Sequence, residues 1–208
     1  WPDACLQHLP VVDLPVVTQR AQAAPTGADL PVVCVSWEDA QAYIAWLSER
    51  SGKSYRLLHE VEFEYLAEAF YFNTPLEQVI AGRDLCQWVN IADRASNFSW
   101  RDFSCAQELG HGILPVRGLQ PDQFGLYHLL GNVWEWSQDC YAETPEATVL
   151  GQHDNADCTR RSFRGGSWTD PVGTLRSSNR NWDSPGYRAD NLGFRVARTL
   201  DQAEFSRR

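Results

Sequence analysis

The cysteines and histidines are the side chains of this sequence best suited to bind a metal or attack a substrate. None of the six cysteines belongs to a CxxC pair, and the five histidines show no His-x3-His spacing. Zinc-ribbon, thioredoxin-like and helical metal-site patterns therefore fail on spacing. A Gly-x-Ser-x-Gly elbow is also missing, and Gly165 and Gly166 lack the lysine of a phosphate-binding loop. The sequence predicts no familiar catalytic constellation.

Two cysteine pairs lie close in sequence and predict disulfides: Cys86 with Cys105, and Cys140 with Cys158. Each bond would close a loop of roughly 20 residues, a constraint worth about 3 kcal/mol of stability. Disulfides favour an oxidising compartment, although six reduced thiols in a cytosolic protein remain the alternative. Cys34 lies in the apolar run "PVVCVSW", and we expect it to be a buried free thiol.

Composition predicts one domain over residues 1–208, in which residues 1–29 form an irregular N-terminal segment. The chain is 43% hydrophobic, contains nine tryptophans and has a formal net charge of −9. Nucleic acid is an unsuitable partner, because its binding needs clustered Lys and Arg. No apolar run approaches the ~18 residues of a membrane span, so no transmembrane segment is predicted.

Regular elements are predicted mainly in the first third of the chain. Residues 30–37 are typical of a short buried strand, and Ser36 with Asp39 predicts the capped start of a helix that ends at Gly52. The inner face of this helix is expected to contain Ala40, Tyr43, Ile44 and Leu47. A second helix is predicted over about residues 60–70, and the following residues are expected to form its inner face: Val61, Tyr65 and Leu66.

Three carboxylates of the second predicted helix, Glu60, Glu62 and Glu64, resemble an acid cluster. They alternate along the helix and do not converge, so we expect solvated side chains rather than an acid–base pair. After residue 72 the pattern changes to short strands separated by Gly, Pro, Asn and Asp. Two early helices followed by a loop-rich, mostly antiparallel remainder predict an α+β fold.

Five segments resemble, in this order, the formylglycine-generating enzyme (sulfatase-modifying factor) family: "PVVCVSWEDAQAYIAWL", "YRLLHEVEFEYLAEA", "FGLYHLLGNVWEW", "FRGGSW" and "NLGFRVAR". The resemblance implies a modified C-type lectin-like fold. It also implies copper bound by two cysteines shortly after the GGS[YW] motif. Here those two positions fall at about Asp170 and Leu175, and no cysteine follows Cys158. Because Cu(I) needs soft sulfur ligands, we expect no copper oxidase activity.

Calcium is the other metal that the resemblance implies. One site of the family would fall on His128, Gly131, Val133 and Glu135, and another would begin at Asn90 and Ile91. Glu135 and backbone carbonyls suit calcium, whereas a histidine is a poor ligand for this hard cation. The alternative for Glu135 is a buried carboxylate hydrogen-bonded to backbone N–H groups or to an arginine. The sequence leaves open whether there is no cofactor or a structural calcium.

The segment "GGSWTDPVGTLRSSNRNWDSPGYRADNLGFR", residues 165–195, resembles the variable region of diversity-generating retroelement proteins. At positions where related loops carry Asn, it has residues reachable from an Asn codon by changing adenines only. Trp182 is reachable from an Arg codon in the same way. The expected ligand-binding face consists of Thr169, Asp170, Gly173, Thr174, Asn181, Trp182, Asp183, Ser184, Tyr187, Ala189 and Asp190. Its expected rigid supports are Trp168, Leu175, Leu192, Phe194 and Arg195.

This resemblance implies a non-catalytic protein, exported or on the surface of a bacterium, that binds a protein or other macromolecular ligand. Tyr and Trp supply contact area while Ser, Gly and Asn adapt to the partner. Two alternatives remain open. One is an undiversified binding or accessory member, in which Asn and Gly satisfy turn geometry. The other is an enzyme of altered, non-copper chemistry, such as oxidative tailoring.

Overall fold

The computed structural model describes residues 29–72, 85–101, 112–143 and 158–200. Two helices precede most of the strands, as the sequence predicts. The elements in chain order are α1 (Trp37–Ser51), β1 (Tyr55–Leu57), α2 (Glu60–Phe72), β2 (Trp134–Cys140), β3 (Arg161–Arg164), β4 (Arg180–Asp183), β5 (Leu192–Phe194) and β6 (Val196–Arg198). Short 3-10 turns cover Leu85–Gln87 and Val172–Thr174.

Helix α1 begins and ends at the residues that the sequence predicts. The hydroxyl of Ser36 accepts the Asp39 backbone N–H at 3.1 Å, and the Asp39 carboxylate accepts the Ser36 N–H at 2.9 Å. This reciprocal pair is a capping box, which satisfies two otherwise unpaired donors. Gly52 ends the helix with φ of 66°, a left-handed conformation that glycine adopts at little cost. Ala40 and Ile44 are the buried residues of its inner face.

The predicted inner face of α2 is wrong. Phe63 and Ala67 are buried, whereas Val61 is 42% and Tyr65 67% exposed, and Leu66 is half-buried. Glu60, expected in solvent, is only 4% exposed. The apolar pattern of the helix is ambiguous, because aromatic and aliphatic residues occur on every face. Partners elsewhere in the fold decide which face is buried.

Residues 30–36 do not form the predicted strand. Cys34 has φ of 60°, and a residue in the left-handed region interrupts an extended chain. The prediction of a free thiol at Cys34 is also wrong, because this cysteine is disulfide-bonded. Cys140 and Cys158 form the predicted disulfide, with Cα atoms 5.7 Å apart. Cys86 is disulfide-bonded as well, while its predicted partner, Cys105, lies outside the described residues.

The strands form two small sheets. The larger has the order β4-β3-β2-β5, and the smaller pairs β1 with β6. Strand β2 pairs antiparallel with β3 but parallel with β5, with Trp134 opposite Leu192. The α+β class and the loop-rich character are confirmed, and this parallel pair departs from the expected antiparallel arrangement.

Aromatic side chains fill the space between α1 and the larger sheet. The rings of Trp134 and Trp136 each meet Phe163 edge to face, with centroids 5.3 and 5.2 Å apart. Ile44 and Leu192 are among the buried residues that complete this cluster. A second cluster includes Phe63 and Leu175 under the loops. The strands that flank residues 165–195 therefore rest on a tightly packed base.

The predicted irregular segment 1–29 lies, except for its last residue, outside the described part of the chain. No helix in that described part is long and apolar enough to cross a membrane.

Candidate ligand-binding surface

Two glycines turn the chain out of β3 into the candidate surface. Gly165 and Gly166 have φ of 101° and 75°, conformations that side chains rarely adopt. A Cβ atom on Gly165 would lie 3.1 Å from the backbone oxygen of Leu129. Leu175, which follows the 3-10 turn, is only 2% exposed and packs into the core cluster around Phe63. The start of the segment is thus fixed by backbone conformation and by one buried leucine.

Asp170 holds the turn that follows the GGSW motif. One of its carboxylate oxygens, Oδ2, accepts hydrogen bonds from the Trp134 indole at 2.9 Å, the Ser167 backbone N–H at 2.9 Å and the Ser167 hydroxyl at 2.6 Å. Ser167 is fully buried. The sequence placed Asp170 on the freely variable face, whereas these contacts give it a structural role.

The two positions at which the family places copper ligands do not fit copper in this chain. Leu175 offers no donor atom, and its side chain is buried. The Asp170 carboxylate is hard oxygen and is already engaged by Trp134 and Ser167. Among the described residues, no group of three or more His, Cys, Asp and Glu side chains could hold a metal ion.

Side-chain contacts bring the two ends of the segment together. The Asn191 amide donates to the hydroxyls of Thr169 at 3.0 Å and Ser167 at 3.1 Å. Trp100, which lies outside the segment, donates its indole N–H to the Thr169 carbonyl at 2.9 Å. Its ring stacks on Phe98 with centroids 4.9 Å apart and remains 52% exposed. Sequence reasoning missed Trp100, because nothing near it in the sequence connects it with residue 169.

The loop over residues 184–190 is fastened to the start of α1. The Pro185 carbonyl accepts the Trp37 N–H at 3.0 Å, and the Ala189 carbonyl accepts the Cys34 N–H at 2.9 Å. Arg188 forms an ion pair with Asp39, the same residue that caps the helix. The positive φ of Cys34 therefore belongs to the turn against which this loop docks.

None of the eleven predicted face residues is fully buried. Four are exposed: Gly173, Asn181, Trp182 and Ser184. The other seven are half-buried: Thr169, Asp170, Thr174, Asp183, Tyr187, Ala189 and Asp190. Tyr187 and Ala189 also pack against the aromatic core cluster. The predicted supports Leu175 and Leu192 are buried, whereas Trp168 and Phe194 are half-buried.

Trp182 lies on β4, which forms one edge of the larger sheet, opposite Ser162 of β3. Its indole is 41% exposed. The Tyr141 ring lies 5.7 Å from the Trp182 ring, and the Arg160 guanidinium lies 4.8 Å from its centroid. An edge-strand tryptophan with one supported side is well placed to contact a partner.

Tyr187 lies in the loop between Asp183, the last residue of β4, and Asp190. Partial burial raises the pKa of the Tyr187 hydroxyl, and the negative charges of Asp183 and Asp190 raise this pKa further. The direction follows because burial and nearby anions both disfavour the phenolate. The Tyr187 hydroxyl therefore keeps its proton more strongly than a free phenol does.

Buried ions secure β4 from below. Glu60 accepts hydrogen bonds from Arg180 at 2.6 and 2.7 Å and from Arg164 at 3.2 Å. Its charge is balanced by these two arginines, which explains its burial on α2. Burial lowers the pKa of Arg164, while Glu60 and Glu64 act in the opposite direction. The segment before Trp182 is thereby tied to helix α2.

The family's calcium position around Glu135 is occupied by an ion pair. Arg195 donates to both oxygens of Glu135, at 2.5 and 2.6 Å, and to the carbonyls of Tyr127 and His128, at 3.1 and 3.2 Å. The His128 ring contacts the Pro115 carbonyl at 3.0 Å. The arginine partner of Glu135 is the alternative that the sequence left open, and this donor set does not suit calcium.

The remaining predicted calcium residues serve the packing of two loops. The Asn90 carbonyl accepts the Asn132 N–H at 2.7 Å, and a Cβ on Gly131 would lie 2.4 Å from that carbonyl oxygen. Ile91 and Val133 are buried apolar residues. The second half of the site beginning at Asn90 would fall on "CAQELGHG", residues 105–112, of which only Gly112 lies within the described ranges.

Comparison with known proteins places this geometry in a family. Residues 11–200 match the FGE-sulfatase family, described as "Sulfatase-modifying factor enzyme 1-like domain". The chain belongs to this family. A relative named inactive C-alpha-formylglycine-generating enzyme 2, from Bos taurus, is 33% identical over 179 residues, which cover 81% of this chain and 50% of that protein. The formylglycine-generating enzyme of Streptomyces coelicolor is 32% identical over 182 residues, covering 82% and 53%.

Two solved structures are similar to this chain in fold. The structure of PvdO from Pseudomonas aeruginosa superposes with a TM-score of 0.67 at 32% identity, covering 88% of this chain and 65% of that chain. Treponema denticola variable protein 1 superposes with a TM-score of 0.61 at 21% identity, covering 93% and 77%. The second likeness shows the fold alone. The chain spans about half the length of the formylglycine-generating relatives that it matches.

Proposed function

We propose that this member of the sulfatase-modifying factor family is a non-catalytic binding protein that presents residues 169–190 to a protein ligand. The observation that carries the proposal is the division of roles within the segment. Leu175 and Leu192 are buried supports, while Asn181, Trp182 and Ser184 point into solvent on the intervening strand and loop. Exposed side chains on a rigid scaffold can change with little effect on stability.

The chemistry of the face supports binding rather than catalysis. Its exposed and half-buried residues include an indole, a phenol, carboxylates and small polar side chains. Such a mixture is typical of paratopes, in which aromatic anchors supply area and small residues adapt. The segment contains no His, Cys, Glu or Lys to act as base, nucleophile or metal ligand. The positions of the family's copper ligands are Asp170, engaged in a turn, and Leu175.

We further propose that the face is diversified, as in the variable proteins of diversity-generating retroelements. The adenine-reachable residues and the shared fold with a protein named variable protein 1 support this proposal. The test is to sequence the source locus. We expect a near-identical repeat with adenines at the codons for Asn181, Trp182 and Tyr187, next to a reverse transcriptase gene. Absence of the repeat would leave an undiversified binding protein.

Binding itself is tested on an array of purified proteins. We expect an identified ligand whose affinity falls at least tenfold in Trp182→Ser, since central aromatic anchors typically contribute about 2 kcal/mol or more. Val116→Ser is the matched control, because Val116 is 42% and Trp182 41% exposed and Val116 lies outside the segment. Equal affinity losses in both variants would contradict the proposed face.

We also propose that the protein is exported, because its described cysteines are oxidised. Cys140 and Cys158 are bonded, and Cys34 and Cys86 are each disulfide-bonded. Four oxidised cysteines in the described residues fit an oxidising compartment. Non-reducing mass spectrometry of protein taken from its native host is the test. Four free thiols at these positions would contradict export.

A further inference from the structure

Two residues outside segment 165–195 support the Trp182 ring. The Arg160 guanidinium lies 4.8 Å from the Trp182 ring centroid and 5.6 Å from that of Tyr141. The Tyr141 ring itself lies 5.7 Å from Trp182, tilted by 37°. Arg160 therefore approaches both rings, and the exposed indole is supported by a cation and a second aromatic ring.

A second arginine, Arg180, fixes the Tyr141 ring. The Arg180 guanidinium lies 4.5 Å from the Tyr141 ring centroid and donates to the Ala142 carbonyl at 2.7 Å. Arg180 is fixed in turn by its two hydrogen bonds to the buried carboxylate of Glu60. A chain of contacts thus runs from helix α2 through Arg180 and Tyr141 to the indole.

The backbone that carries Tyr141 and Arg160 is closed by covalent and hydrogen bonds. Tyr141 directly follows Cys140, and Arg160 comes two residues after Cys158, its disulfide partner. The Tyr141 N–H also donates to the Arg160 carbonyl at 3.0 Å. The disulfide therefore fixes the two supporting residues beside each other. From the sequence alone, this disulfide was expected only to close a loop.

We propose that the binding surface extends beyond the variable segment onto a fixed platform, Tyr141 and Arg160, which holds the Trp182 indole in its binding orientation. This inference rests on the proposed function and adds two positioning residues to it. Ordering a side chain before binding removes part of the entropic cost of association. A cation near an aromatic ring also restrains the ring electrostatically.

The platform makes a prediction that needs no ligand. In protein labelled with 15N at its nine tryptophans, the indole signal missing from Trp182→Phe identifies residue 182. We expect a heteronuclear NOE near the rigid-backbone value in the parent protein and a clear decrease in Arg160→Ala and Tyr141→Ala. Tyr141→Phe keeps the ring and should restore the high value. Arg50→Ala is the control, because Arg50 lies beside a different tryptophan, 5.8 Å from the Trp46 ring centroid. This variant should leave the NOE of the Trp182 indole unchanged.

An indole that is mobile in the parent protein, or equally ordered in both alanine variants, would overturn the platform. Thermal unfolding of each variant is measured in parallel, so that loss of the fold is not mistaken for loss of order. Should Tyr141→Ala fail to fold, Arg160→Ala and Tyr141→Phe decide the question.

A binding arm separates this inference from the proposed function. A library randomised at Asn181 and Ser184, with Trp182 retained, is selected against hen egg-white lysozyme as a defined probe. Introduced into the selected binders, Trp182→Ser is expected to lower the affinity for lysozyme. Arg160→Ala is expected to lower this affinity by about fivefold to tenfold. Binders that need Trp182 but not Arg160 overturn the platform and leave the proposed function intact. Failure to obtain binders contradicts the proposed function, and the NOE still tests the platform.

Discussion

Arg195 forms a two-point ion pair with Glu135, with N–O distances of 2.5 and 2.6 Å. The Glu135 carboxylate raises the pKa of the Arg195 guanidinium against the opposing effect of burial, so the arginine is charged in the fold. Arg195 also donates hydrogen bonds to the Tyr127 and His128 carbonyls. One cation therefore binds oxygen atoms of the chain around residue 127 and of strand β2. This is the role that the family resemblance would give to calcium.

Removal of the Arg195 charge should therefore destabilise the protein strongly. Arg195→Met leaves the nearly buried Glu135 carboxylate unpaired, and breaking such a pair typically costs about 3 to 5 kcal/mol. Urea unfolding measures the loss. Arg176→Met, at an exposed position, should change the free energy of unfolding by less than about 0.5 kcal/mol.

We also expect millimolar calcium or EGTA to leave the melting temperature unchanged, and a calcium-dependent increase would contradict the ion-pair assignment.

His128 should make stability decrease as the solution becomes acidic. Burial lowers the pKa of the His128 imidazole below 6.5, and Arg195 lowers it further, against the Pro115 hydrogen bond. A lowered pKa in the fold means that its stabilising contribution is present above pH 6.5 and is lost as the pH falls through the folded pKa. His128→Asn suits the left-handed φ of 48°. Its melting temperature should fall less than that of the parent between pH 7 and pH 5.

The Cys140–Cys158 disulfide should stabilise the fold by constraining the unfolded chain. The two cysteines are separated by 18 residues, and a loop of about this size corresponds to about 3 kcal/mol. The Cys140→Ser, Cys158→Ser double variant should lose this amount in urea unfolding under oxidising conditions. A difference below about 1 kcal/mol would indicate that the unfolded chain is not loosened by the change.

Local signals were sufficient to predict several features of the fold. The Ser36 and Asp39 capping box, the Gly52 helix end and the Cys140–Cys158 bond each depend on residues close in sequence. The α2 face, the left-handed Cys34 and the parallel pairing of β2 with β5 depend on distant partners instead. No periodicity within a segment reports such contacts.

The same distinction applies to the candidate site. Codon logic and residue types select eleven surface positions, of which four are exposed and seven are half-buried. They do not predict which of those positions bind the scaffold. Contacts that supply Trp100, Tyr141 and Arg160 to the surface span long stretches of chain, so only the folded structure connects these residues with Thr169 and Trp182.

Asp170 and Asp190 both belong to the eleven predicted face residues, but the Asp170 carboxylate binds the scaffold. Comparing the two residues therefore tests whether scaffold contacts separate positions that the sequence treats alike. Asp170→Ala removes the acceptor for the Trp134 indole and for both donors of Ser167. Leaving buried donors unpaired costs about 1 to 3 kcal/mol each where water cannot replace the partner. We expect Asp170→Ala to lose at least about 2 kcal/mol in urea unfolding. Asp190→Ala should stay within about 0.5 kcal/mol of the parent protein. Equal effects of the two substitutions would show that the turn after Trp168 does not depend on its carboxylate.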